Sequence, residues 1–170
     1  MDYPRPMLLE ALILIVLLTF VLESILDELN QRSAQKAPDP LVSHLYDAKE
    51  QSRSISYGRE RNQLGLFSGA VTTGAMILAL ALGWFPDLDR FISERVDNTL
   101  LVSLFFIGAL GFISWLITLP FAIRSTFGIE ARYGFNKSTP KTFILDAIKG
   151  TLVAVILGGA LLGAVIWLYE

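Results

Sequence analysis

Apolar residues in this chain are gathered into four long runs separated by polar stretches, not spaced at the interval of a helix with one buried face. The first run is Met7 to Leu22, interrupted by Glu10 and Thr19; beyond it Glu23 and Asp27 share one face of an amphipathic extension to Leu29. The polar segment from Gln31 to Pro40, with Pro38 and Pro40, breaks that helix. Asp47 followed by Glu50 fits a capping box, which predicts a short soluble helix reaching Arg61. The second run is Leu64 to Trp84, ended by Pro86. The third is Leu100 to Ile123, where Pro120 should kink or end the helix. The fourth helix should begin at Pro140, with Thr139 as its N-cap, and continue through Tyr169.

At about 1.5 Å per residue, some 20 residues cross a hydrocarbon core of about 30 Å, so each run suffices. The pattern predicts an all-α integral membrane protein, a four-span transmembrane helix bundle forming a single domain. Its spans fall at about 7–29, 64–84, 100–123 and 140–169, with loops at about 30–63, containing the soluble helix, and 124–139. A signal peptide would compete for the first run, but Met1-Asp2-Tyr3-Pro4-Arg5 is not a basic leader and no small-x-small cleavage site follows, which favours a retained span.

Composition supports the membrane reading: 53% of residues are hydrophobic and mean hydropathy is +0.53. Charge adds an orientation. Eleven of the 14 basic residues lie in the two polar segments: Arg32, Lys36, Lys49, Arg53, Arg59 and Arg61 in the first, and Arg124, Arg132, Lys137, Lys141 and Lys149 in the second. The positive-inside tendency places both large loops in the cytoplasm and both termini outside, in a periplasm or lumen. Tyr3, Trp84, Trp167 and Tyr169 would then lie near the outer interface. Gly65 with Gly69, and Gly159 with Gly163, have the spacing that lets helices approach closely, and are expected to pack within the bundle. Net charge is −2 and no basic stripe interleaves with aromatics, so nucleic acid is not an expected partner. The absence of cysteine excludes disulfides and thiolate metal sites.

Candidate chemistry is sparse. His44 is the only histidine, so neither a two-histidine zinc constellation nor a serine triad within a span can be built. An EExxxR motif, an intramembrane GxGD and phosphate-binding glycine loops are also missing. The least generic stretch is Ser125 to Lys141, which carries Glu130, Arg132, Tyr133 and Phe135 and ends in Thr139-Pro140.

Three stretches carry a family resemblance: Leu22-Glu23-Ser24-Ile25-Leu26-Asp27, Leu45-Tyr46-Asp47 through Tyr57-Gly58-Arg59-Glu60-Arg61, and Ser125-Thr126-Phe127 through Phe135-Asn136-Lys137-Ser138-Thr139-Pro140-Lys141. Together they resemble the N-terminal membrane region of the type I CAAX prenyl proteases, multi-span zinc metallopeptidases that process prenylated C-terminal tails. Ala131 stands where a second acid is usual, and Leu64 where an aromatic is. The resemblance implies helices enclosing a large chamber, with a zinc site supplied by sequence further along the family's chain. It assigns no catalytic or metal-binding residue here, since HExxH is absent, and implies a chain that is inactive alone, with the peptidase domain absent and zinc expected only in the complete enzyme. Partners implied are the lipid bilayer, a peptidase domain in cis or on a separate chain, and a prenylated or membrane-associated peptide. Glu130, Arg132, Asn136, Lys137, Arg59 and Glu60 are the candidate substrate-entrance or interdomain contacts. Arg132 and Lys137 would offer donors to a peptide carboxylate; as purely structural groups, the same residues would serve as helix-end caps and loop ion pairs. The alternatives from other classes are a non-enzymatic membrane scaffold or complementing subunit and, more remotely, half of a transporter.

Overall fold

The computed structural model describes residues 5–34 and 48–169. These are helical almost throughout, with no strand among the described residues. Five α-helices follow one another: α1 Arg5–Ala34, α2 Ala48–Ala81, α3 Trp84–Ser93, α4 Thr99–Ile123 and α5 Pro140–Tyr169. A π-helical segment, Arg124–Glu130, continues directly from α4. Four of these stretches, Met7–Ser33, Lys49–Ala81, Thr99–Glu130 and Pro140–Val165, are long and apolar enough to cross a membrane. Their outward surfaces carry Leu, Ile, Val and Phe, while Ile92 and Ile129 are the buried apolar residues among those described. Such a surface suits lipid, in which helices satisfy their backbone groups internally.

The described residues divide into two compact units, one comprising those up to Ala81 together with Thr118–Asn136, the other Leu82–Ile117 together with those from Lys137 onward. In the first unit α1 and α2 run antiparallel: Phe20 lies against Gly69, while Gln31, further along α1, faces Gly58 and donates to the carbonyl of Ile55, earlier on α2. The residues of α2 turned to α1 are Ile55, Gly58 and Gly69, with Asn62 and Gly65 lining the same side. Their spacing of three and four makes one face of an α-helix.

The helix limits depart from the sequence expectation in three places. The separate soluble helix ending at Arg61 does not exist: it is the first half of the 34-residue α2. Arg61-Asn62-Gln63-Leu64 contains neither Gly nor Pro, so a change from polar to apolar surface occurs with no break in the backbone. The far end of α2 is Ala81 and not Trp84, because Gly83 adopts a left-handed φ of 72° and turns the chain into α3. Pro86 then sits in the first turn of α3, where a missing N–H costs little. Pro120 does not end α4, which continues to Ile123 and through the π segment, so much of the expected 124–139 loop is helical.

The other starts have ordinary capping chemistry. Asn98 Oδ1 accepts the N–H of Leu101 at 3.0 Å to cap α4, and Thr139 Oγ1 accepts that of Thr142 at 3.2 Å to cap α5. Among the described residues, Gly69 makes the expected close approach: a Cβ there would lie 3.1 Å from the Phe20 ring, whereas at Gly65, Gly159 or Gly163 it would meet no described atom within 4 Å. Small-residue spacing permits close packing without dictating it. Gly69→Val should therefore loosen the α1–α2 pair by about 1–3 kcal/mol. Gly65→Ala should leave stability unchanged, and thermal unfolding midpoints in detergent, followed by circular dichroism, compare the two.

Candidate functional site

A second face of α2, opposite to the one on α1, builds the site. Arg53, Tyr57, Glu60 and Phe67 recur at intervals of four, three and seven and so line one stripe. Each meets the end of α4 or the hairpin beyond it. Phe67 packs edge-on to Phe121, with ring centroids 5.8 Å apart. Glu60 faces Arg132, its Oε2 3.0 Å from Nη2, and its Oε1 accepts a hydrogen bond from the Tyr133 hydroxyl at 3.1 Å. Tyr57 lies between two rings, edge-on to Tyr133 at 5.4 Å and to Phe135 at 4.9 Å. The Arg53 guanidinium donates to the Tyr133 carbonyl.

The hairpin that meets this stripe is shaped by its own backbone. Pro120 supplies no N–H, so the Leu116 carbonyl lacks the usual donor one turn on. The helix widens into the π segment soon afterwards, with Ile129 buried at its end. The Phe135 N–H bonds the Glu130 carbonyl at 2.8 Å and the Gly134 N–H bonds that of Ala131 at 3.2 Å, around Gly134 at φ 74°. These are the two bonds of a Schellman cap, with glycine at the left-handed position. The Asn136 N–H also reaches the Glu130 carbonyl, at 3.2 Å. Residues 133–136 thus fold back against α2 instead of continuing the helix.

Of the residues singled out from sequence, Glu60 and Arg132 are brought together. Glu130 contributes through its carbonyl and a long side-chain contact of 3.4 Å from Ser125 Oγ, and Asn136 through its amide. Arg59 is exposed, about 100° around α2 from Glu60, and joins none of these contacts. Lys137 is exposed and belongs to the other unit. Sequence reasoning passed over Arg53 and Tyr57, although their spacing from Glu60 marks a single helix face. On the α1 side of α2 an open groove of about 410 Å³ is lined by Asp27, Asn30, Gln31, Gly58, Arg61, Asn62 and Gly65.

A family model described as CAAX prenyl protease N-terminal, with five membrane helices, matches residues 27–170. This chain belongs to that family. The CAAX prenyl protease 1 homolog of Oryza sativa subsp. japonica is 32% identical over 168 residues, covering 93% of this chain and 39% of the relative. That of Arabidopsis thaliana is 32% identical over 171 residues, covering 95% and 40%. The crystal structure of S. mikatae Ste24p aligns with a TM-score of 0.79 at 26% identity, over 95% of this chain and 38% of that one. This CAAX protease N-terminal region is an integral, multi-pass membrane protein, and it spans about two fifths of the length of the curated relatives it matches. Where the family description counts five membrane helices, four among the described residues of this chain have the length and apolarity to cross.

The zinc that the family implies has no fitting residues in the described part of this CAAX protease region. No group of three or more His, Cys, Asp or Glu among the described residues could hold a metal ion, and His44 lies outside them. What the site offers is positioning. The phenol of Tyr133 is raised above its usual value of about 10, first by loss of hydration, then by its bond to Glu60 and that carboxylate's charge, with Arg132 opposing. Because the shift is upward, the bond's contribution is complete below the usual value and is lost as pH climbs through the raised one. Glu60→Gln should lower the Tyr133 pKa, and Arg132→Ala should raise it further. Carbon-13 tyrosine NMR titration of the ring ζ carbon checks both signs; shifts of the same direction in the two variants would contradict the assignment.

Proposed function

We infer that this chain is the membrane module of a CAAX-processing zinc metalloendopeptidase, anchoring the enzyme and helping to form the intramembrane chamber that receives substrate. The observation that carries this reading is the division of α2 into an apolar, membrane-length half and a polar half whose Arg53, Tyr57 and Glu60 hold the hairpin at Arg132, Tyr133 and Phe135. A hairpin fixed at the end of a span is suited to form the rim of a chamber. Glu130, Arg132, Asn136 and Lys137 stand on or just after it, as entrance or interdomain contacts. Both terminal nitrogens of Arg132 face Glu60, so an incoming peptide carboxylate would exchange with Glu60 rather than meet an idle guanidinium. Zinc and the catalytic residues come from a peptidase portion, joined in cis or supplied by a separate chain, and the substrate is a prenylated or otherwise membrane-associated peptide. The basic residues favour a cytoplasmic position for the hairpin and an external one for both termini.

Two experiments test this. In enzyme assembled from this chain and a CAAX peptidase portion, Glu130→Gln and Arg132→Ala should each lower cleavage of a farnesylated peptide by roughly ten- to hundredfold, with helicity unchanged. Full activity would remove these residues from the entrance, and no activity in any such assembly would favour a non-enzymatic scaffold. Because the chain has no cysteine, topology can be read from Asp97→Cys and Lys137→Cys in intact cells. An impermeant maleimide should label the first directly and the second only after lysis; the reverse order would invert the proposed orientation.

A further inference from the structure

We propose that α3 is an interfacial helix that seats one edge of its apolar face in the zwitterionic surface of the bilayer. At ten residues it is about 15 Å long, half the thickness of a hydrocarbon core, so it cannot cross. Its neighbours determine where it lies. Ala81 ends one membrane-length helix two residues before α3, and Thr99 begins another five residues after it. At no more than about 3.6 Å per residue, the two-residue link holds the start of α3 within the headgroup zone at the end of α2.

The sequence of α3 suits that place. Trp84, Phe85, Leu88, Phe91 and Ile92 fall within an arc of about 120°, opposite Asp87, Asp89, Arg90 and Ser93. The arc is unevenly covered. Ile92, on one edge, is 8% exposed and Phe85 and Leu88 are half-buried, so protein covers that side. On the other edge Trp84 and Phe91 are each 55% exposed, and Leu82, just before the helix, is 58% exposed. Two aromatic rings left open at headgroup depth match the residue type that settles at membrane interfaces. The Arg95 guanidinium lies 3.7 Å over the Phe91 ring and donates to the Phe91 carbonyl at 2.6 Å, adding a cation beside the ring. From Trp84 to Asn98 the segment has four acids, Asp87, Asp89, Glu94 and Asp97, against Arg90 and Arg95. Its net negative charge disfavours anionic lipid, so apolar burial drives the contact and a zwitterionic phospholipid surface is its partner.

Single nitroxide labels at Trp84→Cys, Phe91→Cys and Arg90→Cys, in the chain reconstituted into phosphatidylcholine nanodiscs, test this by power-saturation electron paramagnetic resonance. Collisions with oxygen should exceed those with an aqueous nickel chelate at positions 84 and 91, by severalfold, and the order should reverse at 90. Adding phosphatidylserine should lower the oxygen-to-nickel ratio at 84 and 91 or leave it unchanged. Nickel access at 84 and 91 would place the face in water, and low access to both reagents would place it under protein; either overturns the proposal. Oxygen access that rises with phosphatidylserine would overturn the zwitterionic assignment. The label at 84 leaves Phe91 and Arg95 intact, so it remains informative if the change at 91 perturbs the helix.

Discussion

The constraint on which the first unit depends is that α2 must serve two partners from opposite faces. One stripe, Ile55, Gly58, Asn62, Gly65 and Gly69, belongs to the α1 side; the other, Arg53, Tyr57, Glu60 and Phe67, receives the end of α4 and its hairpin. A rotation of 100°, one residue of register, would turn Gly69 away from Phe20 and Glu60 away from Arg132 together. Each contact therefore holds the register that the other requires. Continuity of α2 between Arg61 and Leu64 transmits that register from the polar half to the membrane half.

The end of α4 solves a backbone problem that a span terminating beside other helices must meet. Orphan carbonyls are costly where water is scarce, and Pro120 withholds the N–H that the carbonyl one turn earlier would ordinarily receive. The π segment carries the helix seven residues further, and the cap around Gly134 then satisfies the carbonyls of Glu130 and Ala131. Gly134 suits its left-handed φ, and a Cβ there would approach Arg53 Nη2 to 3.2 Å, so that guanidinium would have to shift slightly.

Four membrane-length helices were legible because apolar length alone identifies them. Local stop and start chemistry was legible at Thr139-Pro140 and was misread at Pro86, where a proline after a left-handed glycine begins a helix instead of ending one. The polar half of α2 was misread because polarity marks solvent contact, not a backbone break. The candidate residues divide for a similar reason. Glu60 and Arg132 were visible as unusual charges, but their pairing across 72 positions of sequence depends on the fold. Arg59 was selected by adjacency to Glu60, which on a helix means the wrong face. Tyr57 and Arg53 required that four- and seven-residue spacing be read outside the apolar runs.

Within the clamp, the charges are the most conspicuous element and the weaker one. Arg132 is 56% exposed and Glu60 33%, so solvent screening leaves their pair worth at most about 1 kcal/mol. The two edge-on ring contacts of Tyr57 are each worth about 0.5–1.5 kcal/mol beyond their burial, and the Arg53 bond fixes the chain at the cap itself. The rings and backbone bonds therefore hold the hairpin, and the ion pair orients Arg132 on it. Because the rings and backbone bonds hold the hairpin, the weakly paired Arg132 guanidinium can part from Glu60 without releasing it. A buried pair could not do so, because breaking it would leave an uncompensated charge.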